Sequence, residues 1–209
     1  MQTKYKILGI DPGSYVLGFA CLEAKKINPI LPKDFAIAGA GAMRLNKKLK
    51  HADRLCHLCD SLGQLIDEFS PHTCVLEKSF FGVNAHSAIR MGETRGAIIA
   101  AIRQRQINLA EITPAQVKKA ITGHGRGSKE QVSLALKQLM GFDGRGLPYD
   151  VSDALAIALS YALSLAIVGS HSPVSQICKG EPNENNADVF SSDCTDPCKH
   201  GIASTDRGF

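Results

Sequence analysis

The run Ile7-Leu8-Gly9-Ile10 is apolar without a break, ends in an acid, Asp11, and is stopped at once by Pro12-Gly13. A short apolar run bounded by a turn signal reads as a buried strand. An acid at the end of such a strand, with a tight turn behind it, stands at a sheet edge, where α/β proteins hold catalytic and ligand-binding groups. The same residues also read as a plain turn, because Asp is favoured at the first turn position. The choice depends on whether acids from elsewhere in the chain converge on Asp11.

The rest of the chain supplies elements that could bring them there. Residues 5–10 are expected as a strand, and residues 16–22 follow after a four-residue turn as its hairpin partner. A Pro-containing loop over 28–33 leads to a third antiparallel strand over 35–43. The basic stretch Arg44-Leu45-Asn46-Lys47-Lys48-Leu49-Lys50 opens onto an amphipathic helix ending near Phe69, with Ser70-Pro71 as its stop. Residues 73–77, Thr-Cys-Val-Leu-Glu, form a β-prone run that ends in an acid as the first one does. Residues 84–106 are expected as a helix capped by Asn84, with Ala88, Ile89, Gly92, Gly96, Ile99 and Ile102 along one side. Each glycine costs a helix about 1 kcal/mol relative to alanine, so two of them one turn apart imply close approach of another backbone, in the core or at a subunit interface. A strand at 109–112, a helix opened by Thr113-Pro114 and ended by Gly123, and a helix capped by Ser128 and running to about residue 140 come next. The last helix is expected from about residue 150 to 166. This order defines an α/β chain with a mixed sheet flanked by helices.

Composition sets further bounds. Of 209 residues, 44% are hydrophobic and 21% charged, as in ordinary globular domains. There is neither an apolar run of membrane-spanning length nor a signal-peptide pattern at the start, and a cytoplasmic protein is expected. Residues 1–169 carry 21 basic and 14 acidic side chains and are expected as one domain. Residues 170–209 carry three basic and six acidic side chains amid Ser, Asn, Asp and Pro, the composition of a disordered tail. A basic domain suits a polyanionic partner and equally a solvated face. Of the seven cysteines, Cys56 and Cys59 form a C-x-x-C, but they lie at helical spacing with Ala52, Leu55, Leu62, Leu65, Ile66 and Phe69 and read as core. Cys178, Cys194, Cys198 and His200 match no common zinc spacing.

The last helix opens Asp150-Val151-Ser152-Asp153 and is otherwise apolar. One aspartate is explained as a cap facing the helix dipole. Asp153, pushed towards the packed side, calls for a cationic partner, because an unpaired buried carboxylate costs several kcal/mol. Asp11, Glu77, Asp150 and Asp153 thus all stand at element ends. Clustered, they would raise one another's pKa unless a hard cation neutralised them, and oxygen-only donors favour Mg²⁺ or Mn²⁺. Two such ions suit in-line displacement at a phosphodiester.

A series of motifs in fixed order carries a resemblance. Ile7-Leu8-Gly9-Ile10-Asp11-Pro12-Gly13-Ser14 is followed by Leu76-Glu77-Lys78-Ser79-Phe80-Phe81 and Met91-Gly92-Glu93-Thr94-Arg95-Gly96. Then come Pro114-Ala115-Gln116-Val117-Lys118, the segment 123–132, and Asp150-Val151-Ser152-Asp153-Ala154-Leu155-Ala156-Ile157-Ala158. Together they resemble the RuvC family of Holliday (crossover) junction endodeoxyribonucleases, with a ribonuclease H-like fold, here a mixed five-stranded sheet flanked by helices. The resemblance implies Mg²⁺-dependent hydrolysis, with Mn²⁺ as a substitute and two ions per subunit. It implies Asp11, Glu77, Asp150 and Asp153 as the metal-binding catalytic acids. The family varies at the position of Asp150, where some members carry His. Phe80 falls where the family stacks an aromatic on a base, a contact worth about 1–3 kcal/mol. A core phenylalanine is the alternative, with Phe81 the better core candidate.

Lys118 and Lys129 match basic positions used against DNA, a solvated lysine being the alternative for each. Arg126, with its flanking glycines, is read from its own chemistry as a further phosphate contact. Implied partners are four-way junction DNA, a second copy of the chain, and the RuvA and RuvB branch-migration proteins. The product is a pair of nicks in two strands of like polarity, made in DNA recombination and repair. The competing readings are an actin- or sugar-kinase-like ATPase, which needs a second phosphate loop and domain, and a non-catalytic junction- or RNA-binding module.

Overall fold

Ile7, Leu8 and Ile10 are fully buried because strand β1 (Lys6–Asp11) lies at the centre of a five-stranded sheet covered on both faces. The computed structural model describes residues 4–25, 31–78, 84–142 and 149–167. The other strands are β2 (Val16–Ala24), β3 (Phe35–Arg44), β4 (Thr73–Glu77) and β5 (Asn108–Ile112), in the order β3-β2-β1-β4-β5. β1, β2 and β3 pair antiparallel, and β4 and β5 join parallel to β1, which gives the expected mixed sheet. Parallel pairing of β1 with β4 sets their C-terminal acids, Asp11 and Glu77, at one edge of the sheet.

Helices α1 (His51–Phe69) and α2 (Ala85–Gln104) cover one face, packing on Leu8, Ile10, Cys21 and Leu76. Helices α3 (Pro114–Thr122), α4 (Lys129–Met140) and α5 (Tyr149–Ile167) cover the other, packing on Ile7 and Val75. The stop and start signals act as expected. Ser70, Gly123 and Gly141 end helices in the left-handed conformation, and Asn84, Thr113 and Ser128 cap helices through their side chains. Among the described residues no helix is long and apolar enough to cross a membrane.

Two expectations need correction. On α1 the buried stripe is Arg54, Leu58, Leu62 and Ile66, whereas Ala52 and Cys56 are exposed; Cys59 packs half-buried against this core as expected, its thiol donating to the Ala97 carbonyl. Arg54 takes an inward place that a hydrophobicity pattern assigns to an apolar residue. On α2 the inward residues are Thr94, Ile98, Ala101 and Ile102, so Gly92 and Gly96 do not share a face with Ile102. Beyond its own helix, a Cβ on either glycine would meet nothing within 4 Å among the described residues, and neighbouring Ile89 is 62% exposed. Of the two expected settings for these glycines, the core of the protomer is excluded. Phe80, Phe81, the tail over 170–209 and its cysteines lie outside the described residues.

Candidate active site

Side-chain alternation decides which way the strand-end acids point. Ile7 faces α5, so Gly9 and Asp11 share that face; Val75 also faces α5, and Glu77 shares its side. Helix α5 crosses here at backbone contact. A Cβ on Gly9 would lie 2.3 Å from the Ala154 carbonyl oxygen and 2.7 Å from the Ala158 nitrogen, and one on Gly18 would lie 2.1 Å from the Asp150 carbonyl oxygen. Gly18 pairs with Asp11 across β1 and β2. The two strand glycines therefore let the first turns of α5 settle on the sheet beside Asp11, and they bring Asp150 and Asp153 with them. Glycine within a strand is the sequence signal that marks such an approach, and it is the one through which both positions could have been found.

Asp11, Glu77, Asp153, Lys118 and Lys129 line one cleft of about 280 Å³. Pro114, Val117, Val132 and Ala156 supply its apolar walls. Asp150 is not among the lining residues, but its charge acts on both Asp11 and Lys129. Burial, followed by the negative charges of Asp153, Glu77 and Asp150, pushes the Asp11 carboxyl up to about 7, with Lys129 opposing. Burial and Asp153 likewise raise Glu77, against Lys129 and Lys118. The cation that the sequence calls for beside Asp153 is Lys129: its Nζ donates to Asp153 Oδ2 at 3.0 Å, and that bond raises the lysine's own pKa. Arg126 is exposed and does not line the cleft.

Arg95, which no sequence pattern marks as a site residue, reaches from α2 to donate to the Glu77 carbonyl and to pair with Glu111 on β5. It ties the end of β4 to α2 and β5. A separation of 18 residues leaves no local signal for this contact.

Whether these residues suit a hard divalent ion rests on their donors and charges. Among the described residues no three His, Cys, Asp or Glu side chains converge closely enough to enclose an ion, and Asp153 is engaged by Lys129. The donors facing the cleft are all carboxylate oxygens, and Asp11 carries a carboxyl held near neutrality by its burial and its like-charged neighbours. That is the state a divalent cation relieves, and oxygen donors suit Mg²⁺ or Mn²⁺ rather than zinc.

A mixed sheet of this strand order, with acids meeting at one edge under a crossing helix, defines the ribonuclease H-like class of nucleases. Comparison narrows the class. The family described as "Crossover junction endodeoxyribonuclease RuvC" matches residues 7–161. Proteins of that name from Caldicellulosiruptor saccharolyticus and Thermosipho melanesiensis are 37% and 39% identical, over 78% and 76% of this chain and 95% and 97% of theirs. The structure titled "T. thermophilus RuvC in complex with Holliday junction substrate" superposes with a TM-score of 0.71 at 26% identity, over 78% of this chain and 96% of that one. The chain belongs to the RuvC family of crossover junction endodeoxyribonucleases.

Proposed function

We propose that the protein resolves Holliday junctions by nicking two strands of like polarity, one in each subunit of a homodimer, with Asp11, Glu77, Asp150 and Asp153 as catalytic metal ligands. The observation that carries this reading is the meeting of Asp11, Glu77 and Asp153 in one basic-sided cleft. The bound ions, two of Mg²⁺ per subunit with Mn²⁺ as a substitute, would supply activation of the attacking water and neutralisation of the leaving oxygen. Asp11 and Glu77 would provide the ion with oxygen donors from two adjacent strand ends, and Asp153, bonded to Lys129 in the metal-free protein, would be the third. Lys129 and Lys118 then face the scissile phosphate as compact cations. Val117, Val132 and Ala156 give the cleft an apolar lining, which strengthens each of these charge interactions. Phe80 is the candidate for base stacking beside Glu77, and Arg126 for an outer phosphate contact. Family membership further suggests a cytoplasmic protein that works with RuvA and RuvB.

The open face of α2 supports the dimer. Ile89, Gly92 and Gly96 form an exposed strip on which a second backbone can approach closely. Two-fold assembly also matches a substrate that is itself nearly two-fold.

The test joins assembly to product. On a supercoiled plasmid extruding a cruciform, wild-type protein with Mg²⁺ is expected to yield linear DNA from paired nicks. Gly96→Arg, whose Cβ meets nothing beyond its own helix within 4 Å among the described residues, should sediment as a monomer and give mainly nicked circles, with linear product greatly reduced. Paired cutting by a monomeric Gly96→Arg protein would refute the dimer reading, and a wild-type protein without junction cutting would refute the function.

A further inference from the structure

The basic segment between β3 and α1 does not line the cleft, yet a buried leucine and several hydrogen bonds tie it down as a strap. Leu45 anchors it: its side chain is buried and its backbone N–H donates to the Tyr15 carbonyl at 2.9 Å. Asn46 turns the chain by accepting from the Lys48 N–H through its side chain and from the Leu49 N–H through its carbonyl. Arg54, only 4% exposed, donates to the Leu49 carbonyl at 3.2 Å and to His51 Nδ1 at 3.0 Å. The proton of His51 therefore sits on Nε2 and is donated to Glu93 at 2.6 Å. Two cations approach the Tyr15 ring, Arg54 at 4.7 Å and Lys47 at 5.4 Å from its centroid.

This framework presents Arg44, Lys47, Lys48 and Lys50 to solvent, and none of the four has an acidic partner among the described residues. Their placement runs against helix stability. Lys50 is the N-cap of α1 and makes no side-chain cap, and positive charge at a helix N-terminus opposes the dipole. Cations gathered there, without acidic partners among the described residues, suit an anion brought from outside.

The strap stands at the sheet edge that carries the acids. Asp11 pairs with Gly18 and Gly18 with Ala42, so the end of β3 lies two strands, about 10 Å, from Asp11. Arg44 projects past that row. Lys118 and Lys129 belong to the helices of the opposite face. The acid cleft is thus flanked by cations on both sides, and a duplex laid across it would place phosphates a few base-pair steps from the cut, at about 3.4 Å of rise each, against the strap.

We propose that the Arg44–Lys50 strap is a second phosphate-binding surface, which grips the backbone of a duplex arm of the junction beyond the scissile phosphate. The proposal rests on the junction-resolving reading and names where that substrate is held.

Binding of the full chain to a synthetic four-way junction, followed by fluorescence anisotropy without divalent ions over a range of KCl, tests it. Lys47→Gln/Lys48→Gln/Lys50→Gln should flatten the plot of log K against log salt by about 0.9 for each phosphate no longer neutralised, a total of about 2–3. Lys4→Gln/Lys25→Gln/Lys33→Gln changes net charge equally at the opposite sheet edge and should alter the slope by less than about 0.5. Arg replacements at 47, 48 and 50 should restore the wild-type slope, which separates removal of charge from a damaged fold. Equal slopes for the two glutamine triples would overturn the strap while leaving the resolvase reading intact. Failure of the wild-type protein to prefer the junction over linear duplex would instead overturn that reading.

Discussion

Replacing Asp11 with Asn is expected to abolish Mg²⁺-dependent cutting, leave junction binding in place and stabilise the metal-free protein at neutral pH. The catalytic loss should be on the order of 10³–10⁵-fold, as for removal of one member of a unit that acts together. The gain in stability follows from the sign of the pKa shift. Burial, then Asp153, Glu77 and Asp150, raises the Asp11 carboxyl from 3.8 to about 7, so the folded state holds a proton that the unfolded chain gives up. Its contribution to stability is fully present below about pH 3.8 and erodes as pH rises, being lost above about pH 7. Asn carries no charge at any pH. The melting temperature of the variant in EDTA should therefore rise relative to wild type between pH 4 and pH 7, by the equivalent of at most about 4 kcal/mol. Adding Mg²⁺ should raise the wild-type melting temperature and move the variant far less. Melting curves across pH with and without Mg²⁺, beside a nicking assay, check all three outcomes. A variant that nicks at the wild-type rate would remove Asp11 from the catalytic set.

The second large effect is expected at Gly9, which bears no chemistry. In Gly9→Ala the new Cβ would have to displace the Ala154 carbonyl and the Ala158 nitrogen, both backbone atoms of α5. Relief requires lifting the helix off β1. Overpacking of this kind typically costs about 1–3 kcal/mol or more. Because α5 also carries Asp150 and Asp153, cutting should fall along with stability, by more than about 10-fold even where the protein remains folded, since small misplacements of catalytic groups are costly. Denaturant unfolding and nicking measured on the same sample would show it. Wild-type stability in Gly9→Ala would mean that α5 does not lie against β1 as described.

Most of the scaffold is legible in the sequence because its signals are local. Apolar strands ended by acids, Asn84, Thr113 and Ser128 as caps, and Gly123 as a stop each act within a few residues. What escapes depends on packing between distant segments. Whether Cys56 or Arg54 turns inward on α1 depends on what Tyr15, Leu49 and His51 offer it, and hydrophobicity favours the wrong one. Gly92 and Gly96 could serve the core or a partner, and only the open space beside them decides. Asp153 calls for a cation, but nothing near it in sequence points to Lys129, 24 residues away.

Anomalous diffraction from a crystal of the full chain soaked in Mn²⁺ is the sharpest test of Asp11, Glu77, Asp150 and Asp153 as ligands of the catalytic metal. Manganese peaks are expected within coordination distance of Asp11, Glu77 and Asp153, with Asp150 at their margin and Lys129 withdrawn from Asp153. At an Mn²⁺ concentration that supports cutting in solution, ordered manganese elsewhere and none in this cleft would contradict that assignment.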